Sequence, residues 1–167
     1  MGRGSLYASF GDKHTVFIKA LQEYVRQALI QTHEELDGPA GTAIDRLRAW
    51  ILAGAGFVLR DGEHFGCMAG KLALEVGDQD TEARDVILGV FAEQQRVLSD
   101  CVAAAQRHGD LAPEADGCSI ACMILALNRG MDVMAKGGIS QATLDAAAEQ
   151  AFRGLPLIEA YSRRQAG

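Results

Sequence analysis

Apolar positions recur at three- and four-residue spacing along nearly the whole chain, the pattern of helices that each turn one stripe toward a core. Asp12 stands where a carboxylate can accept the free N–H groups of a helix start. Behind it Val16, Phe17, Leu21, Tyr24, Val25, Ala28 and Leu29 draw a single stripe that predicts a helix to about Glu35. The Asp37-Gly38-Pro39 loop ends it, and a second helix is expected over about residues 42–60. Its long uncharged middle predicts burial on every side and a central place in a bundle. A turn at 60–63 and a short helix at about 65–76 follow, the latter stopped by Gly77. The clearest stripe is Val86, Ile87, Val90, Phe91, Val97, Leu98, Cys101, Val102 and Ala105, between Asp80 as cap and His108-Gly109 as terminator. After Pro113 a helix over about 114–136 carries an almost unbroken apolar run from Ile120 to Leu127, and it too is expected to be buried all round. Ser140 caps a last helix whose stripe includes Leu144, Ala147, Ala148, Ala151 and Phe152 and stops before Pro156. No stretch alternates with period two, so the expected fold class is all-α, a helical bundle.

A chain of 167 residues fits one domain with one compact core. Apolar residues make up 49% and the net charge is −6, which argues against coating nucleic acid by bulk charge, so any DNA contact must be local. The charge-free stretches at 49–59 and 117–127 fall short of the roughly 20 residues a bilayer-spanning helix needs. No membrane partner is expected, and with no secretory pattern at the start the expected location is cytoplasmic. The four cysteines, Cys67, Cys101, Cys118 and Cys122, contain no C-x-x-C and read as free thiols serving as small core residues.

The segment Gly4-Ser5-Leu6-Tyr7-Ala8-Ser9-Phe10, followed by Lys13 and Val16-Phe17, resembles the recognition helix and first body helix of the tetracycline-repressor (TetR) family. Gly66-Cys67-Met68 with Ala73-Leu74-Glu75 is similar to a second, weaker family segment. The resemblance implies a ligand-responsive transcriptional regulator of the repressor type, with no enzymatic activity. It implies a recognition-helix remnant at 1–11, a ligand-binding and dimerisation domain at 12–161 and a polar tail at 162–167. Ser5 and Tyr7 match positions that face DNA, and Lys13 matches the basic residue that meets phosphate, where helix-terminal N–H groups already favour anions. The helices at about 114–136 and 140–155 match those through which the family forms homodimers. In the family roughly thirty residues, the rest of a helix-turn-helix, precede this motif, whereas here Met1 stands directly before it. Operator DNA is thus an expected partner where the headpiece is complete, and weak or no operator binding is expected of the chain alone. The competing expectations are a small-molecule-binding or protein-interaction module that does not touch DNA, and, for Leu6, Tyr7 and Phe10, simple cover for the first body helix.

The implied ligand is a small apolar molecule held between helices. Gln94 interrupts the stripe of the longest helix beside Phe91; it is a ligand contact or an amide satisfied within the core. Gly54 and Gly56 interrupt the second helix, leaving room for a ligand or for a neighbouring helix. Trp50 and Phe57 share a face, and Met68 and Met123 are adaptable; all four are pocket candidates or plain core. Cys67, near a helix start, is a candidate sensing thiol or an inert one. His64-x-x-Cys67 and Cys118-x-x-x-Cys122 do not complete a metal set, and no catalytic motif or cofactor signature is present.

Overall fold

A computed structural model describes residues 12–55, 67–76, 80–158 and 161; over these the chain forms six α-helices and no strand. Helix α1, Lys13–Leu36, begins where the sequence predicts, with the Asp12 carboxylate accepting the Thr15 N–H at 2.8 Å. Helix α2, Ala43–Ala55, follows Thr42, whose hydroxyl and N–H both donate to the Asp45 carboxylate, at 2.6 and 3.0 Å. This closes the helix start in the manner of a capping box. Helix α3, Met68–Glu75, is capped by the Cys67 thiol. Helix α4, Thr81–His108, is capped by Asp80 and ends on Gly109 at φ 80°, a left-handed conformation that glycine adopts without steric penalty. Helix α6, Gln141–Arg153, starts at Ser140 as predicted.

Helix α5, Gly117–Lys136, begins at the Asp116 cap, later than the apolar pattern suggests. The reason is tertiary. The Gln106 amide of α4 donates to the carbonyls of Ala112 and Ala115, at 2.9 and 2.8 Å, and holds that segment as a turn.

Buried residues fall into two clusters where the sequence suggested one. Ile18, Leu21 and Val25 of α1 pack with Ala69 of α3 and with Ala83, Ile87 and Val90 from the first half of α4. The second cluster joins α2 (Ile44, Leu47, Trp50, Ile51) to the later half of α4, to α5 and to α6. Phe91 touches both. The division falls where Thr32 of α1 and Gln94 of α4 put polar groups between the helices.

Two helices expected to be buried all round are not. In α2 Ala49 and Ala53 are exposed although Leu47 and Ile51 are fully buried. In α5 Ile120, Ala121, Ile124 and Met131 face the core, whereas Cys122, Met123 and Met134 are exposed and Val133 is 63% exposed. Helix α5 is long and apolar enough, by length and composition alone, to cross a membrane, a test that the core helix of a soluble protein also passes. One apolar face covers the interior and the other is left uncovered. The cysteine reading also needs correction: all four thiols are free, but only Cys101 is buried, and Cys118 and Cys122 lie on the open face of α5.

Candidate functional site

Between the two clusters lies a cavity of about 760 Å³, walled by α1, α2, α4, α5 and the start of α3. Its size suits a small organic molecule. Its wall is apolar in larger part, with polar groups among it as the sequence suggests, and α1 contributes Gln27, Gln31, Thr32, Glu34 and Glu35 along with Ala28 and Ile30.

The deepest polar group on α4 is Gln94, 7% exposed. Its Nε2 donates to Thr32 Oγ1 at 3.2 Å, and that hydroxyl donates in turn to the Ala28 carbonyl at 2.9 Å. A hydroxyl has one proton to give, so with it placed on Ala28 the oxygen can only accept from Gln94. This fixes the amide's orientation and leaves Oε1 as the atom with no partner among the described residues.

Asn128 of α5 repeats the arrangement from the other side. Its Nδ2 donates to the Trp50 carbonyl of α2 at 3.1 Å. A carbonyl only accepts, so the nitrogen must face it, and Asn128 Oδ1 is left buried and unpartnered. The approach depends on Gly54: a Cβ there would lie 2.3 Å from Oδ1 and 2.4 Å from Cγ of Asn128. An unpaired buried acceptor costs about 1–3 kcal/mol, and both oxygens are closed in by the packing of the helices, Asn128 Oδ1 against Gly54.

At the α3 side, Arg129 Nη1 pairs with Asp132 Oδ2 at 3.3 Å, and Arg129 Nε is buried without a partner among the described residues. Burial pushes the Asp132 carboxyl up, against the pull of Arg129 and of the Cys67 backbone N–H. The Tyr24 hydroxyl accepts the Met68 N–H at 3.1 Å, and burial, then the adjacent Cys67, push this phenol up. The Cys67 thiol itself accepts from the Gly70 N–H at 3.4 Å as the cap of α3.

Of the residues singled out in the sequence, Trp50, Gly54, Cys67 and Gln94 line the cavity. Three others are placed elsewhere. Phe91 packs between the two cores, Met68 begins α3 and is 37% exposed, and Met123 is on the open face of α5. Each lies on a helix that borders the cavity, but on another of its faces. Lys13 is the exposed first residue of α1. Ser5, Tyr7, Gly56, Phe57 and His64 lie outside the described residues. The sequence reading missed Asn128, Thr32 and Tyr24. Asn128 was the most readable of them, being the first polar residue after the apolar run of α5.

The sequence profile described as "Tetracyclin repressor-like, C-terminal domain" matches residues 43–151. The fold is also that of solved regulators. A cysteine variant of the TetR-family regulator CifR, in complex with a 26-base-pair operator DNA, superposes with a TM-score of 0.81 at 26% identity, over 93% of this chain and 81% of that one. Regulatory protein TetR from Rhodobacter sphaeroides gives a TM-score of 0.83 at 21% identity, over 95% and 82% of the two chains. Reduced NemR from E. coli gives 0.81 at 22% identity, over 90% and 78%. No curated protein matches the sequence. The chain belongs to the TetR family, whose members are transcriptional regulators and not enzymes.

Proposed function

We propose that this protein is a ligand-responsive repressor in which occupancy of the cavity between α1 and the bundle changes its hold on operator DNA. The observation that carries the reading is the cavity itself, about 760 Å³, bounded by α1 on one side and by α2, α4 and α5 on the other. A space of that size between helices suits a small organic molecule.

The two-core architecture supplies a mechanism. Helix α1 follows directly on the segment that holds Ser5 and Tyr7, and it opens with Lys13. In this reading Ser5 and Tyr7 face DNA bases or backbone and Lys13 meets phosphate. The outer two-thirds of α1 packs with α3 and the first half of α4, whereas α2, α5 and α6 pack with the second half of α4. A molecule between those bodies touches α1 on one side and α2 and α5 on the other. Whichever spacing it binds better becomes more populated, and α1 carries the change to the DNA-contacting segment.

Domain 12–161 thus serves ligand binding and dimerisation, the latter through α5 and α6. The uncovered side of α5 presents Met123, Val133 and Met134, and exposed Ala146 and Ala147 of α6 allow a partner helix to come close, while Ala148 is buried within the protomer. The CifR complex with operator DNA, a relative at 26% identity, supports DNA as the partner.

The test selects bound fragments from genomic DNA, then titrates the best fragment by fluorescence anisotropy with and without a compound that raises the protein's melting temperature. A coupling of about 1–3 kcal/mol weakens DNA binding by about 5–150-fold when the cavity is full. Unchanged DNA affinity at saturating compound would reject the switch. Recovery of no bound DNA fragment, with a compound still raising the melting temperature, would leave the second reading, a small-molecule-binding module that does not act on DNA.

A further inference from the structure

We infer that α1 is latched to α4 by two protonated histidines, one at each end of the helix, so that the proton is an effector of the same helix that borders the cavity. The latch stands on contacts outside the ligand site, and only its regulatory meaning rests on the reading above. His14 lies in the first turn of α1 and His33 in the last. His14 Nε2 is 3.2 Å from both carboxylate oxygens of Asp80, the cap of α4, and its Nδ1 is 4.0 Å from Glu82 in the first turn of α4. His33 Nδ1 lies 2.8 Å from Asp37, and its Nε2 lies 3.2 Å from Glu93 of α4. The two links bracket the apolar contact of Ile18, Leu21 and Val25 with Ala83, Ile87 and Val90.

Each ring therefore turns both nitrogens toward carboxylates, which only accept. A neutral imidazole has one N–H and one lone pair, so only the imidazolium satisfies both sides at once. At His33 the shorter contact keeps the last proton on Nδ1, toward Asp37, when the ring is neutral. A lone pair then faces the Glu93 oxygen, and the link to α4 becomes a repulsion while the link within α1 survives. Among the described residues the other charged groups around His33 are Arg96, which donates to Glu93 and also faces Asp37, and Asp100, which accepts from Arg96. Around His14, Asp12 joins Asp80 and Glu82. The carboxylates hold both rings above the ordinary histidine value of 6.5, Asp80 chiefly at His14 and Asp37 chiefly at His33. The latch is whole below the ordinary value and opens as pH climbs through the folded one.

The experiment follows the histidine ring nitrogens by NMR and the amide exchange of α1 from about pH 5.5 to about pH 9, with each variant compared with the parent at the same pH so that intrinsic exchange cancels. The neutral His33 ring is expected as the Nδ1–H tautomer. Glu93→Gln and Asp80→Asn each replace an acceptor by an amide, which accepts from the imidazolium and donates to the neutral ring, so the link holds in both states. Asparagine also keeps the cap of α4. In the parent, protection of the last turn of α1 should fall about two- to fivefold as His33 loses its proton, and that of the second turn likewise with His14. Glu93→Gln should abolish the first fall and Asp80→Asn the second. A neutral His33 in the Nε2–H tautomer would overturn the inference, since the link to Glu93 would then outlast the proton. So would parent protection that does not fall, or a fall that persists in both variants, which would assign it to general loosening of the fold. No readout here uses a ligand or DNA, so the latch stands or fails separately from the ligand-site reading.

Discussion

Gly54 of α2 and Asn128 of α5 occupy one shared space: the Cβ that glycine lacks would lie 2.3 Å from the asparagine oxygen. Gly54→Ala should therefore destabilise, although alanine is favoured over glycine by about 1 kcal/mol inside a helix. Displacing Asn128 breaks its bond to the Trp50 carbonyl and overpacks the interface, a net loss of roughly 1–3 kcal/mol in urea unfolding. The double variant Gly54→Ala with Asn128→Ala should recover much of that loss, because the new methyl fits the vacated volume. Additive losses would show that the two residues do not compete.

Helix α1 is tied to α4 by histidine, and this makes its docking depend on pH. His33 Nδ1 lies 2.8 Å from Asp37 and its Nε2 lies 3.2 Å from Glu93 of α4. Asp37 first, and then Glu93, outweigh burial and raise His33 above its ordinary value of 6.5. A raised histidine contributes stability that is whole below the ordinary value and is lost as pH climbs through the folded one. His33→Gln should melt lower than the parent by roughly a degree or two at about pH 5.5, the effect being small because the partners are half exposed. The gap should close by about pH 9, and a gap that widens with pH would contradict the assignment. His14, raised chiefly by Asp80 at the start of α4, should show the same sign.

The open face of α5 predicts association. Sedimentation should show a dimer for the parent chain and a monomer for Val133→Glu, since a carboxylate buried on that face by a partner would be unpaired. Thermal stability of the monomeric variant, extrapolated to low protein concentration, should match that of the parent. A parent that sediments as a monomer would refute the assignment of this face.

Lys13, exposed at the first turn of α1, is predicted to meet phosphate. Lys13→Ala should weaken DNA binding about equally for all sequences and lower the salt dependence by about one ion. A change in sequence preference with an unchanged salt slope would place Lys13 against bases.

Local chemistry was legible because its signals are local. Asp12, Asp80 and Ser140 cap helices in the structure as their positions predict, and Gly109 ends α4 in the left-handed conformation its place implies. Gln94 was legible because a polar residue inside an apolar stripe breaks a short-range pattern. Asn128 ends an apolar run in the same way, but its role was not legible, since its partner, the Trp50 carbonyl, is 78 residues away and a backbone atom leaves no trace in sequence. The start of α5 was misplaced for a similar reason: the Gln106 bonds that hold 112–115 out of the helix are tertiary. The division into two cores also escaped, because apolar stripes show which faces are buried but not which faces meet. The apolar run of α5 could not distinguish an interior helix from one that keeps a face for a partner.

The central claim is that small molecules act on this protein through the cavity beside Trp50. Its most direct test is to take the compound that most raises the melting temperature and titrate it against Trp50 emission. The account predicts a saturable change whose dissociation constant agrees with that from the melting shift. A stabilising compound that leaves Trp50 emission unaltered at saturation would contradict it.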